Sequence, residues 1–320
     1  MDIIFFGNGG RSIPCLKLLK HFKYNICAIV AHPKKESKWF EPLEREAKKL
    51  KIPLHTPKNP NGKTFEKILK SYQSDLFILA GYGKILKGNI IDIPNSMCIN
   101  LHGGKLPKYR GSSPLNWALI NGESSFTLSI IKLVKQIDGG PILLEKDFSI
   151  GDNETIQDLH KIANVEFPEM LIKVLKDVES NSLKIKNQIE KNSSYYPLRT
   201  PDDGFILWDK YNAQEIHNRI RALTNPYPCA FSFFKEKKVK FISSFINKKS
   251  FSGEPGRIYQ IKKNKFLVSA REGSVWITEA VYSKTKLPFF PTHDRYQSFS
   301  TINQIALSLY KNNILNEDKK

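Results

Sequence analysis

The sequence predicts an α/β protein: a doubly wound, mostly parallel sheet in the N-terminal part, then a smaller C-terminal domain like a β-barrel. Three observations lead there. Short continuous apolar runs at Asp2–Phe6, Asn25–Ala31 and Leu76–Ala80 read as central parallel strands covered on both faces. Helical segments separate them, which is the alternation that crossovers impose on a parallel sheet. After residue 203 the pattern changes to short strand-like runs, closely spaced with turn residues between them. With 320 residues the chain can bury a full α/β core and still build the second domain.

Taken in order, Asp2–Phe6 ends in Gly7-Asn8-Gly9-Gly10, and Ser12 with Pro14 opens a helix carrying Leu16, Leu18 and Leu19. A glycine turn at a helix N-terminus can hold an anion. The third glycine of a dinucleotide fingerprint is missing, so the Rossmann-like arrangement does not imply a nicotinamide cofactor. Asn25–Ala31 leads through His32-Pro33 into the mixed-charge stretch Lys34–Glu41 and the helix PLEREAKKLKI. Leu76–Ala80 ends in Gly81-Tyr82-Gly83-Lys84-Ile85-Leu86.

Ser96–Leu101 is a further buried strand that breaks at His102-Gly103-Gly104 into a Pro/Lys/Tyr/Arg/Gly loop, and Pro114 opens the helical pattern PLNWALINGE. Phe126–Leu133 and Ile142–Ile150 read as strands on either side of the Asp138 loop. Glu154–Ser180 is a long amphipathic helix with a kink expected at Pro168. The sequence then loosens, giving a predicted catalytic domain over 1–180, a linker over 181–203 and a barrel-like domain over 204–320. In the last of these, Trp208–Leu223 is helical with Ile216, Ile220 and Leu223 on one side. Strands follow at Ala230–Phe234, Val239–Phe245, Arg257–Gln260, Lys265–Ser269 and Ser274–Ile277, and Ile314–Lys320 is expected to fray.

A formal charge of +19 admits nucleic acid, a membrane surface or an anionic substrate as partner. The basic residues are mostly lysines spread along the whole chain, the pattern of a solvated surface. Cys15, Cys27, Cys98 and Cys229 form no CxxC pair, and three lie in apolar patterns, so reduced buried thiols and no metal site are expected. The N-terminus starts directly as a strand with no basic leader, and no apolar run is long enough to span a bilayer. The expectation is a cytoplasmic protein without membrane insertion.

Asn100 and His102 are two apart on one strand, so both side chains leave the same face where that strand ends. In an open α/β sheet, ligands bind outside the carboxyl ends of strands. An amide and an imidazole with glycines beside them suit a carbonyl that becomes an oxyanion. A capped strand end with a hydrogen-bonded histidine explains the same local pattern equally well. Asp138-Gly139-Gly140, taken alone, is an ordinary turn.

Asn100-Leu101-His102, then Leu106-Pro107-Lys108-Tyr109-Arg110-Gly111 and Pro114, then Asp138-Gly139-Gly140-Pro141-Ile142, together resemble the signature of the 10-formyltetrahydrofolate-dependent formyltransferases. The resemblance implies catalysis by Asn100, His102 and Asp138 through a tetrahedral intermediate, with 10-formyltetrahydrofolate as formyl donor. It also implies a donor pocket lined by Tyr82, Gly83, Ile85, Leu86, Gln136 and Asp138, in which Ile85 and Leu86 furnish an apolar slot for a flat ring. Gly104-Lys105 departs from the Ser-Leu that relatives often carry there. Because the attacking amine must be neutral while the site handles protons, a bell-shaped pH–rate profile is expected.

Two branches of the family fit this architecture. Lys108–Gly111 with Pro114-Leu115-Asn116-Trp117, Asn121-Gly122-Glu123, Arg199-Thr200-Pro201-Asp202-Asp203, and Asn218 and Arg221 leading into Asn225-Pro226-Tyr227-Pro228 resemble UDP-4-amino-4-deoxy-L-arabinose formyltransferase. That implies a nucleotide-linked amino sugar as acceptor, a role in lipopolysaccharide or O-antigen synthesis, and substrate contacts from Lys108, Tyr109, Arg110 and Tyr227, with Lys108 and Arg110 suited to a diphosphate. The neighbouring branch formylates methionyl initiator tRNA and usually has a longer basic insertion after the second strand. Lys34–Glu41 is short and of mixed charge, poor material for gripping a phosphate backbone. Nucleic acid is a partner only on that alternative, and the second domain leaves room for a homodimer contact.

Overall fold

A computed structural model describes residues 1–8, 10–33 and 43–307 of the chain. The stretch Lys34–Glu41, expected to be too short for a phosphate clamp, and the tail Ile314–Lys320 lie outside the described residues.

The chain divides into two units. The first comprises Met1–Leu115, Ser124–Ile150 and Asp158–Leu198. In chain order its elements are β1 (Asp2–Gly7), α1 (Ser12–His21), β2 (Asn25–Ala31), α2 (Leu43–Leu50), β3 (Leu54–His55), α3 (Lys63–Ser71), β4 (Leu76–Ala80), α4 (Gly88–Ile91), β5 (Met97–His102) and β6 (Arg110–Gly111). After α5 (Pro114–Ile120), most of which belongs to the second unit, come β7 (Ser125–Lys132), β8 (Ile142–Ser149), α6 (Ile156–Glu179) and β9 (Tyr195–Tyr196).

Seven strands form one sheet in the order β3-β2-β1-β4-β5-β7-β8. The members from β3 to β5 pair in parallel, and β7 and β8 add to the edge antiparallel. The apolar runs are buried because the sheet is covered on both sides: Ile3, Ile4, Phe5, Phe6, Phe77 and Ile78 have no exposure. The chain winds from β1 to β3 on one side and then crosses to β4 and β5 on the other, so the ends of β1 and β4 mark the switch point. There the Asn8 N–H donates to Ser12 Oγ at 3.1 Å, and Ser12 Oγ donates to the Ala80 carbonyl at 2.5 Å. A Cβ on Gly7 would lie 2.5 Å from that hydroxyl, which is why the strand can close on the helix only through glycine.

Residues 181–198, read above as linker, are part of the first unit. Lys186 pairs with Ile142 in an isolated bridge, and β9 pairs in parallel with β6. Backbone hydrogen bonds stitch this segment to the loop after β5: Ser194 N–H to the Pro107 carbonyl at 3.2 Å, Arg110 N–H to the Ser194 carbonyl at 3.1 Å, and Ser112 N–H to the Tyr196 carbonyl at 2.9 Å. Polar composition without periodicity hid a pairing whose partners are all distant in sequence.

The second unit comprises Asn116–Glu123, Gly151–Gln157 and Arg199–Lys320. It holds α7 (Ala213–Leu223) and an antiparallel sheet of β10 (Ala230–Phe234), β11 (Lys237–Ile246), β12 (Ile258–Lys262), β13 (Lys265–Ser269) and β14 (Ser274–Tyr282), ordered β10-β11-β14-β13-β12. The Phe299 ring meets Phe234 of β10 at 5.2 Å and Phe266 of β13 at 6.3 Å. Those strands are three places apart, and at about 4.8 Å per strand a flat sheet would keep them too far apart, so the sheet is curled around an aromatic core. Trp208 stacks on the same ring and its Nε1–H donates to Ser232 Oγ at 3.1 Å. The helix expected from Trp208 begins only at Ala213, because Asn212 and Glu215 close a capping box there. The Arg221 guanidinium donates to the Gly151 and Glu154 carbonyls, and Asn116 Nδ2 to the Ala222 carbonyl at 2.7 Å.

Among the described residues no helix is long and apolar enough to cross a membrane, and no group of three or more His, Cys, Asp or Glu is placed to hold a metal ion. The four cysteines are free: Cys15, Cys98 and Cys229 are buried and Cys27 is half-buried.

Candidate active site

The site lies in the first unit, at the carboxyl end of β5. Asn100 and His102 are the fourth and sixth residues of that strand and leave it on one face. Across the sheet edge, Asn100 pairs with Ile131 and His102 with Ser129. The Ser129 hydroxyl, fully buried, donates to the Gly104 carbonyl at 2.9 Å and fixes the start of the loop.

His102 is buried, with Nε2 2.5 Å from the Tyr109 carbonyl oxygen. A carbonyl only accepts, so Nε2 carries a proton and donates it. The other ring nitrogen, Nδ1, faces Asp138 Oδ2 at 3.6 Å, beyond hydrogen-bond length. Asp138 Oδ2 accepts the Gly111 N–H at 2.9 Å, and Oδ1 accepts from Asn100 Nδ2 at 3.3 Å. The three expected catalytic side chains therefore meet around one buried carboxylate. A Cβ on Gly104 would lie 2.7 Å from the Tyr109 carbonyl oxygen and 2.8 Å from His102 Nε2. Glycine at this departure from the family pattern lets the imidazole and that carbonyl close on each other.

Asp138 sits at φ 47°, in the left-handed region that aspartate enters more readily than most residues. The turn that follows is pressed backbone to backbone: a Cβ on Gly140 would stand 1.8 Å from the Lys132 carbonyl oxygen. Gln188 clamps the turn from outside, its Nε2 donating to the carbonyls of Asp138 at 2.7 Å and Gly140 at 2.6 Å.

The expected donor-pocket residues fall into two groups. Tyr82 and Leu86 are buried members of the core, with the Tyr82 ring edge-on to Phe6 and His32. Gly83 and Ile85 face outward: the Gly83 N–H reaches His32 Nε2 at 3.2 Å, and Ile85 is 64% exposed. Gln136 donates to Glu190 Oε1 at 2.9 Å and to the Tyr195 hydroxyl at 3.2 Å. Its neighbour Ile137 is 45% exposed. The Lys135 side chain reaches the start of α4, where a Cβ on Gly88 would lie 2.8 Å from its Cε. Ile85 and Ile137 are thus both exposed apolar side chains, each on a loop that follows a strand of the sheet.

The substrate-contact residues are distributed differently from expectation. Lys108 is exposed in the loop. The Tyr109 ring is buried and stacks on Tyr196 at 4.8 Å and 8°, leaving its carbonyl for His102. Arg110 is a correction: its side chain has no exposure and does not face solvent as a diphosphate ligand would. Nε and Nη2 donate to Gln188 Oε1 at 3.1 and 2.9 Å, while Nη1 donates to the Glu190 carboxylate and to the Tyr195 hydroxyl at 2.8 Å. Those bonds hold the Glu190 carboxyl below the usual range. Tyr227 belongs to the second unit, half-buried, with its N–H on the Thr224 carbonyl at 3.1 Å.

Sequence reasoning missed Gln188, Glu190 and Tyr195. The two-residue spacing of Gln188 and Glu190, which puts both on one side of an extended chain, was the available signal.

The family described as "Formyl transferase" matches residues 16–175, and "Formyl transferase, C-terminal domain" matches 199–288. Methionyl-tRNA formyltransferase of Acetivibrio thermocellus is 32% identical over 292 residues, 89% of this chain and 93% of that protein. The bifunctional polymyxin resistance protein ArnA of Wigglesworthia glossinidia brevipalpis is 34% identical over 290 residues, 90% of this chain and 44% of that longer protein. The N-formyltransferase from Helicobacter canadensis, solved with folinic acid and dTDP-3-aminofucose, superposes with a TM-score of 0.68 at 19% identity, covering 86% of this chain and 98% of that one. At that identity the likeness is one of fold.

Proposed function

The chain belongs to the formyl transferase family, and we propose that it moves the formyl group of 10-formyltetrahydrofolate to the primary amine of an amino-sugar nucleotide. Enzyme class and donor follow from the family. The observation that supports the catalytic assignment is the convergence of Asn100 and His102 on the Asp138 carboxylate. As the amine nitrogen bonds the formyl carbon, negative charge grows on the formyl oxygen. Asn100 spends one Nδ2 hydrogen on Asp138 and keeps another to donate there, a contact commonly worth about a hundredfold in rate. The proton shed by the amine passes to the carboxylate or to Nδ1 of His102. Facing each other at 3.6 Å, the two can share it and return it to the folate nitrogen as the carbon–nitrogen bond to the donor breaks.

For the donor, Ile85, Ile137 and the backbone of Gly81–Gly83 are the groups that would receive the pterin. For the acceptor, the sequence runs at Lys108–Gly111, Pro114–Trp117 and Arg199–Asp203 support the sugar branch. In the second unit Arg199 lies over the Trp117 ring at 4.7 Å, and a Cβ on Gly122 would touch Asn218 Nδ2 at 2.9 Å, so several residues of that resemblance are neighbours. Lys108 remains the exposed cation suited to a diphosphate, without Arg110.

A second reading, formylation of methionyl initiator tRNA, is favoured by the full-length similarity to methionyl-tRNA formyltransferases from several bacteria and by the charge of +19. A turnover assay with 10-formyltetrahydrofolate, comparing nucleotide-linked 3-amino and 4-amino sugars with methionyl initiator tRNA, separates the two. Formylation of a sugar and not the tRNA is expected, and formylation of the tRNA alone would overturn the sugar assignment.

A further inference from the structure

Gln188 uses both ends of its amide. Its Oε1 accepts two donors from Arg110, at 3.1 and 2.9 Å, and its Nε2 donates to the Asp138 and Gly140 carbonyls at 2.7 and 2.6 Å. Few other side chains can do this, because the position needs an acceptor toward a guanidinium and a two-hydrogen donor toward carbonyls. The consequences reach the reacting groups. Asp138 is held at φ 47°, a left-handed turn that the two Gln188 bonds fasten on both sides. Arg110, held by Gln188, precedes Gly111, whose N–H is the 2.9 Å donor to Asp138 Oδ2. One amide thus spans the loop that carries the aspartate and the loop whose backbone that aspartate binds.

We propose that Gln188 is a positioning residue for formyl transfer, locking the left-handed Asp138 turn to the Arg110–Gly111 loop so that the carboxylate faces His102. With both ends of its amide engaged by Arg110 and the two carbonyls, it acts through Asp138. Glu190 and Tyr195, on the same segment, hold the far side of the guanidinium. The segment 186–196 is then a strap that completes the site from a region with no strand or helix of ordinary length.

The proposal rests on the reading of Asp138 as catalytic, so the experiment includes Asp138→Asn. Gln188→Glu keeps the partner of Arg110 but sets an acceptor against two carbonyls, and Gln188→Met removes both sets of bonds without adding charge. Each variant is assayed with 10-formyltetrahydrofolate and the acceptor of highest turnover in the panel above. Folinic acid binding, thermal unfolding and the exchange rate of the Gly111 amide are measured alongside. For Gln188→Glu the expected result is a fall in kcat of about tenfold or more. Its folinic acid affinity should stay near that of the parent and the Gly111 amide should exchange faster, while the unfolding temperature falls because two carbonyls lose their donor. Gln188→Met should lose a similar factor in kcat, and it decides the matter if the Glu variant does not fold. A kcat within about twofold of the parent in the folded variants, or a fall matched by equally weakened folinic acid binding, would overturn the proposal. If Asp138→Asn is as active as the parent, the catalytic reading itself fails and the proposal falls with it.

Discussion

Two polar clusters adjoin in the first unit and use their hydrogen bonds in opposite ways. Around Arg110, a guanidinium with no exposure is met on all three nitrogens by Gln188, Glu190 and Tyr195. Around Asp138, by contrast, capacity is left over. His102 Nδ1 stands 3.6 Å from a carboxylate oxygen without a hydrogen bond, and Asn100 commits one donor at a long 3.3 Å. Asn100 is only half-buried, so the donor it has left over is within reach of a ligand. The saturated cluster is scaffold, and the unsaturated one beside it is where a substrate can complete the bonding.

The sharpest way to break this contrast is to remove the unsaturated members. His102→Ala should lower kcat by about a hundredfold or more because it removes a proton-handling group, with some stability lost as well because the Tyr109 carbonyl is left without its donor. Steady-state kinetics with a melting curve checks this, and a variant that melts early but turns over normally would put His102 in the scaffold. Asn100→Ala should cost about a hundredfold in kcat, with donor KM nearly unchanged, since its spare N–H acts on charge that exists only in the transition state.

The saturated cluster should respond the other way. Arg110→Met should show first as lost stability. Glu190 is mostly in solvent, so the ion pair itself is screened and contributes little. The larger loss is in the bonds to Gln188 and Tyr195, about 1.5–3 kcal/mol for each hydrogen bond to a charged group. Denaturant titration measures it, and unchanged stability would refute the scaffold assignment. At Ser129, replacement by Ala should cost about 1 kcal/mol by leaving the buried Gly104 carbonyl short of a donor.

Stability should also respond to pH, through a histidine outside both clusters. Burial, with the Arg11 charge adding to it, pushes the His160 imidazole from 6.5 down to about 3. Between those values the unfolded chain binds a proton that the folded chain does not, so stability falls with acidification through that window and is intact above it. His160→Gln should therefore lose less stability between about pH 7 and pH 4 than the parent. Equal losses would mean that His160 does not contribute to acid unfolding.

Much of this was legible in the sequence, for reasons that differ by region. Strand runs such as Ile3–Phe6 and Leu76–Ala80 report directly that both faces are covered, and alternation along β5 put Asn100 and His102 on one face. Their union with Asp138 came from family resemblance, because Asp-Gly-Gly alone is a turn. The α3 helix was passed over, although Phe65 and Leu69 stand four apart and are its buried residues.

What the chain encodes locally is therefore the sheet, the switch point and the face from which catalysis is proposed to proceed, since covalent spacing and burial periodicity act over a few residues. The fate of Arg110 was not encoded in that way. A solvated loop cation and a buried one look alike in sequence, and the difference lies in Gln188, 78 residues further on, and in Glu190 and Tyr195 beyond it. Folding brings those partners together because an arginine can leave water only where each of its donors is met. That condition is satisfied by a fold and not by a motif.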